Sequence, residues 1–387
     1  MCFSKVIKKA RETFSLSLFE KLWIYLWIIL TPLAIYIIEI NNKVINIRKI
    51  REIAFYSSAI IFCSFLQKSR WLRYFIIWCV CNWWLNFFFP NISYVGLTNI
   101  FSALVIYIGI KYLIAKNILK IDIILRIICL NVIFQFCWLI MQMFNYDPIF
   151  YPINEMGLFL NTKMPLIGWS GNPAILGIFF ASNSFLLLHY FKLKRMPIFF
   201  FIVLSSIFFL KNATAAITFA GAGLFYLVTR YKIKRKIILS TILITLILGV
   251  FFIYIKSPNY DRIDIWEKLI KDGLKLRPFV GKGINFFSYL HITDKYGKGW
   301  DKAHNDYLQL ILELGLIGFV LFSGFMISRF TMFFKEKRNN LQICMMACLV
   351  AFFISAFSLF PMHLAQNSFY AILVLTCLEK TYETELL

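Results

Sequence analysis

The sequence predicts an all-α, polytopic membrane protein, and three features carry that reading. Hydrophobic residues make up 60% of the chain, and mean hydropathy is +0.73. Long apolar runs recur from Leu22 to near Leu378, too often for one buried soluble core. Short basic or polar breaks separate these runs, and windows approaching the roughly 20 apolar residues that cross the hydrocarbon fill almost the whole chain. No room is left for a soluble domain of ordinary size.

Taken in order, the apolar windows place about twelve spans near 22–40, 52–67, 74–89, 96–114, 122–143, 173–191, 196–210, 213–229, 237–255, 307–333, 341–360 and 364–378. The first follows a basic stretch (Lys5, Lys8, Lys9, Arg11) without a small-residue cleavage site, which reads as a retained anchor. A cytoplasmic N-terminus then puts the basic breaks Lys68 to Arg73, Lys111 to Lys120, Lys192 to Arg195, Arg230 to Lys236 and Arg329 to Arg338 inside, in keeping with the positive-inside rule. One break, Lys43 to Arg51, carries four basic residues and falls outside, against the rule. Within the spans, Arg126 stands near a cytoplasmic end and is expected to snorkel toward the headgroups.

The same orientation leaves three breaks outside: Asn145 to Gly171, the turn at Lys211 and Asn212, and the stretch from Lys256 to Asn305. The last is the largest polar segment, at about 50 residues longer than an ordinary connection, and is expected to hold helices of its own. The chain therefore divides into spans one to nine (1–255), a large external loop (256–305) and three closing spans (306–387).

Charge and cysteine content narrow the function classes. The formal charge of +22 sits in clusters between apolar runs, with no nucleic-acid-binding motif around them, so it records membrane orientation. Eight of nine cysteines lie in apolar segments and none in the loop, which argues against a disulfide-stapled external domain or a zinc site. No internal repeat is visible, so the pseudo-symmetry common among secondary transporters is missing from the sequence.

Residues able to carry chemistry gather in and after the loop. Asp261 to Trp266 opens a helical pattern in which Ile265, Leu269 and Ile270 can face apolar surroundings, while Arg262 and Trp266 share a face four residues apart. A turn follows at Gly281 to Gly283, and Ala303 to Gln309 leads directly into a span carrying Glu313, Gly315 and Gly318. Glu313 is the unusual one, because a carboxylate inside a span is costly and needs a partner in the bundle. His189, His291 and His363 have no such context and read as structural or interfacial.

These pieces resemble the signature of the O-antigen ligase and Wzy-type polymerase family: Arg-x-x-x-Trp (Arg262 to Trp266), Gly-x-Gly (Gly281 to Gly283), His-Asn-x-Tyr-Leu (His304 to Leu308) and Glu-x-Gly-x-x-Gly (Glu313 to Gly318). The likeness covers about 60 residues, and Gly168 to Pro173 resembles a further loop-to-helix element of the family. One departure stands out. Where many members carry Ser-Arg before the span corresponding to 213–229, this chain reads Lys211, Asn212, Ala213, Thr214.

The resemblance implies a GT-C-like enzyme of the bacterial inner membrane with a periplasmic catalytic loop. Such an enzyme moves a glycan from an undecaprenyl-diphosphate carrier to an acceptor, either a lipid A core or a growing glycan, without a metal or other cofactor. The residue chemistry agrees. A departing diphosphate needs fixed cations, and the guanidinium fork of Arg262 pairs two oxygens at once, with Arg277, Lys282 and Lys211 as secondary cations. An acceptor hydroxyl needs a base that is neutral near pH 7, the role of His304. Asn305 and Tyr307 are placed to orient a sugar, and Trp266 and Trp300 to stack on one. The competing expectation is a lipid-linked oligosaccharide flippase or another transporter, which would place its ionisable residues inside the spans and would not require a large external loop.

Overall fold

The computed structural model describes residues 78, 94–144, 146, 172–190, 203, 210, 212–231, 261–273, 275, 277–283, 286–289, 292–293, 299–300, 303–335, 338–359 and 361–385. Eight α-helices are named here: α1 (Tyr94–Ala115), α2 (Ile121–Met143), α3 (Pro173–Asn183), α4 (Ala213–Tyr231), α5 (Asp261–Lys268), α6 (Asp306–Lys335), α7 (Asn340–Ser355) and α8 (Ala365–Glu385). A 3-10 turn (Ser184–Leu186) and a short α-turn (Leu187–Tyr190) prolong α3. Within the loop, Ile292–Thr293 and Gly299–Trp300 form a two-residue antiparallel pairing with Ile292 opposite Trp300.

Four of these segments are long and apolar enough to cross a membrane among the described residues: α2, α3 with its extension, α4 and α6. Their ends agree with the spans expected near 122–143, 173–191, 213–229 and 307–333, because the same basic and polar breaks that end an apolar run also end a helix. The spans near 22–40, 52–67 and 237–255 lie outside the described residues, as do those near 74–89 and 196–210 apart from Trp78, Val203 and Leu210.

Local chemistry sets the helix ends. Pro173 opens α3 at a position where its missing N–H costs nothing, and the Asn172 side chain accepts from Ala174 N at 2.8 Å. Asn339 and Gln342 form a reciprocal capping box at the start of α7. After α1, Asn117 takes φ 57°, a left-handed conformation that asparagine tolerates better than most residues, and the chain turns back toward α2. Two expected boundaries shift. The α-helix of α7 stops at Ser355, not 360, because residues 356–358 turn toward Pro361, whereas α8 runs on to Glu385, past the expected 378.

At the centre stands α7, packed against α3, α4 and α8, with α8 against α1. Its run from Gln342 to Leu349 is buried throughout, which is why it shows no amphipathic stripe: a helix surrounded by neighbours is apolar on all sides. Peripheral helices instead expose large apolar residues, Leu130 and Phe134 on α2 and Leu316, Ile317, Val320 and Ile327 on α6, as lipid-facing surfaces do.

A charged cluster is buried between three of the helices. Glu379 of α8, 3% exposed, pairs with Lys111 of α1 at 2.8 Å and with Arg329 of α6 at 3.0 Å, and it accepts from the Tyr107 hydroxyl. Lys111 and Arg329, which open two of the basic breaks, lie inside α1 and α6, within the expected spans 96–114 and 307–333. One carboxylate between two cations lets all three be removed from water, at a point where three helices converge. Arg126, by contrast, stays exposed beside Asp122 at 2.7 Å, with its guanidinium over the Tyr190 ring.

Candidate functional site

The loop folds onto the N-terminal end of α6 through a small apolar core. Ile265 and Leu269, one turn apart, are buried together with Phe287, Ala303 and Leu312, and Trp266, Phe286 and Leu308 pack around them. Ile270, expected on the same face, is 53% exposed. The next residue along a helix is rotated by about 100°, so Ile270 leaves the stripe that Ile265 and Leu269 share.

From this core Trp266 reaches across the loop and donates its indole N–H to Ala303 O at 2.7 Å. That bond joins α5, whose first turn carries Arg262, to the residue before His304. His304 itself takes φ 52°, a left-handed conformation unfavourable for a non-glycine residue, and its side chain is half-buried. Such a backbone persists only where its neighbours are over-determined. Here they are: Ala303 N donates to Gln309 Oε1 at 3.2 Å, and Asn305 O accepts from Gln309 N at 3.0 Å.

Asn305 caps α6, its Oδ1 accepting from Leu308 N at 3.0 Å. Asp306, fully buried, donates its N–H to Ala356 O at 2.9 Å and accepts from Met362 N at 2.7 Å through Oδ2. The Tyr307 hydroxyl donates to Phe353 O at 2.9 Å, with its ring 4.5 Å from that of Phe357. The start of α6 is therefore fastened to the end of α7 and to the turn before α8 at two consecutive residues, Asp306 and Tyr307.

Further along, α6 is broken. Gly315 has φ 70° and ψ −179°, which interrupts the helical ladder inside an apolar segment. The turn after Arg277 fills the gap with its own backbone. Lys282 N donates to Leu312 O at 2.9 Å and Gly283 N to Glu313 O at 3.0 Å, while Leu316 N and Ile317 N donate to Pro278 O and Phe279 O at 2.9 and 3.2 Å. Trp78 Nε1 donates to Leu314 O at 3.0 Å. Carbonyls at the break thus find donors from outside the helix, as buried backbone in an apolar setting requires.

Glycine is required on both sides of this junction. A Cβ on Gly315 would stand 2.1 Å from Phe279 O, and one on Gly281, at φ 77°, would stand 2.4 Å from Glu313 O. Backbone meets backbone there, with no space for any side chain.

The structure accordingly brings together Trp266, His304, Asn305 and Tyr307 at the head of α6 and seats the turn bearing Arg277 and Lys282 at its break. Leu312 lies eight residues beyond His304, about 12 Å along a helix. Lys282 Nζ sits 5.1 Å from the centre of the Phe286 ring, and Arg277 O accepts from Gly281 N at 2.9 Å to close the turn. Arg262 is placed through its backbone on α5. Lys211 and Gly168 to Gly171 lie outside the described residues. The neighbour of Lys211, Asn212, ties α3 to α4: its Nδ2 donates to Ala174 O at 2.9 Å and its Oδ1 accepts from Ala215 N at 3.2 Å.

The polar atoms of Trp266, Asn305 and Tyr307 named above are engaged in holding the fold, a role the sequence motif does not disclose. Two residues were missed altogether. Asp306 fills the variable position of the motif and Gln309 follows directly after it, and their signal was a polar or charged residue at the entrance of an apolar helix. No family model matches this sequence, and no curated protein matches it.

Proposed function

We propose that this protein is a multi-pass glycosyltransferase of the bacterial inner membrane, with about twelve spans in a GT-C-like arrangement and the 256–305 loop on the periplasmic side. It transfers a glycan from an undecaprenyl-diphosphate carrier to an acceptor glycan, as an O-antigen ligase or an O-antigen or capsule polymerase. The observation that carries this reading is the bond from Trp266 to Ala303, which joins the helix bearing Arg262 to the strained His304.

In the reaction, His304 accepts the proton of the acceptor hydroxyl as its oxygen bonds the anomeric carbon. The bond from that carbon to the diphosphate oxygen breaks, and the lipid diphosphate departs with the electron pair. Arg262 neutralises the leaving group, with Arg277, Lys282 and Lys211 supplying further positive charge, and no metal is involved. Asn305, Tyr307 and Trp266 line the sugar sites.

The test is transfer from purified lipid-linked donor to acceptor by the reconstituted protein. His304→Ala should lower turnover by a factor of about 100 to 10,000 while inserting normally and retaining donor, as removal of a general base does. Unchanged turnover would reduce His304 to a capping residue. A second reading, a lipid-linked oligosaccharide flippase or other transporter, draws on the buried Lys111–Glu379–Arg329 cluster, since charge buried among membrane helices often marks a transport path. Donor flipping by proteoliposomes without glycan transfer, lost in Glu379→Gln, would favour it.

A further inference from the structure

Gln309 grips the chain on both sides of His304. Its backbone N–H donates to Asn305 O at 3.0 Å and its side-chain Oε1 accepts from Ala303 N at 3.2 Å. An amide can present either its oxygen or its NH2 group, and only the oxygen suits a backbone N–H. What selects the oxygen is Glu313, one turn further on, whose Oε1 accepts from Gln309 Nε2 at 2.8 Å. A flipped amide would set its oxygen against the carboxylate and its NH2 against the Ala303 N–H, losing both bonds. Gln309 is fully buried and Glu313 is 3% exposed, so neither bond is exchanged for water at little cost.

Glu313 has a second attachment. Its main-chain oxygen accepts from Gly283 N at 3.0 Å, within the turn that carries Lys282. One residue therefore touches the cation-bearing turn through its backbone and sets the amide that holds His304 through its carboxylate. The geometry points to Gln309 and Glu313 as a pair of positioning residues for His304, acting through the backbone of Ala303 and Asn305 and coupling the base to the 281–283 turn. This inference rests on the glycosyltransferase reading for its effect on rate, and on the hydrogen bonds alone for its effect on structure.

A charge swap separates this pair from a merely structural one. Gln309→Glu keeps an acceptor for Ala303 N but sets two carboxylates face to face. Turnover should fall about 100-fold, as when a reacting group is misplaced by an ångström, with the donor KM little changed. Adding Glu313→Gln to it restores a donor, now pointing the other way. The doubly substituted protein should recover to within about threefold of wild type, because Glu at 309 can accept from both Ala303 N and the new amide.

Amide hydrogen exchange across 303–305, read on the same purified proteins, should show protection lost in Gln309→Glu and regained in the swap. If Gln309→Glu fails to reach the membrane, Gln309→Met, which removes the acceptor of Ala303 N outright, should show the same loss of turnover and of protection, and a Met variant that keeps both overturns the pairing. A swapped protein that inserts normally yet recovers neither turnover nor protection overturns the pairing. A wild-type protein that transfers no glycan, while exchange follows the predicted loss and recovery, overturns the enzymatic reading and keeps the pair.

Discussion

The two ends of α6 are held in opposite ways. At its N-terminal end, Asp306 N, the break at Gly315 and the 277–283 turn are joined mostly through backbone N–H and carbonyl groups, which have fixed directions and few degrees of freedom. At its other end, Arg329 meets Glu379 and Lys111 through long side chains whose charges attract with little regard to angle. The first kind of junction specifies a shape to within fractions of an ångström, which is what a strained histidine and a seated turn require. The second brings three helices together while tolerating small shifts. One helix thus combines a geometrically exact head with an electrostatically tethered base.

The sharpest way to break the head is Gly315→Ala. Its Cβ would meet the backbone of Phe279 at 2.1 Å, so the turn must leave the helix, and the loss should exceed about 4 kcal/mol. The protein should accumulate poorly, and what remains, once solubilised in detergent, should be cut rapidly by added protease between 256 and 305. Normal accumulation and an intact loop would show that the junction can open without penalty.

At the base, Glu379→Leu leaves Lys111 and Arg329 buried beside each other without their carboxylate. Breaking a buried pair this way typically costs about 3–5 kcal/mol, seen as a lower melting temperature of the detergent-solubilised protein. Transfer at low temperature should survive if the tether is structural only. Adding Lys111→Met should recover part of the loss, because one of the two stranded charges is then removed.

Arg262→Lys sharpens the contrast between direction and charge. The charge is kept and the planar fork is lost, so transfer should fall by at least about tenfold with accumulation unchanged, measured as long-chain glycan formed per unit of membrane protein. Near-normal transfer would make Arg262 a surface charge. The smallest effect belongs to Trp266→Phe, which keeps a six-membered aromatic ring and deletes the indole N–H with its bond to Ala303. A loss of about 1 kcal/mol is expected, with increased exchange at residues 303–305 as the sensitive readout.

Much of the scaffold was legible in the sequence because hydropathy is a property of each residue, independent of its neighbours in space. Runs such as Ile121 to Met143 and Ala213 to Tyr231 declare themselves by length alone, and their basic flanks mark where they end. The motif residues His304, Asn305, Tyr307, Gly281, Gly283 and Glu313 were singled out by their resemblance to a family signature. Their tasks were not. That Gly315 breaks its helix and that the 277–283 turn repairs the break depend on contacts between segments some 30 residues apart, and that Gln309 brackets His304 depends on the left-handed bend at His304; sequence periodicity has no access to either. Lys111 shows the same limit from the other side. A lysine at the edge of an apolar run reads as the beginning of a loop, and only the arrival of Glu379 from 268 positions away makes its burial affordable. The sequence by itself determined which segments seek lipid; tertiary structure decided which polar groups meet between them, because a hydrogen bond or an ion pair has two partners and hydropathy describes only one residue at a time.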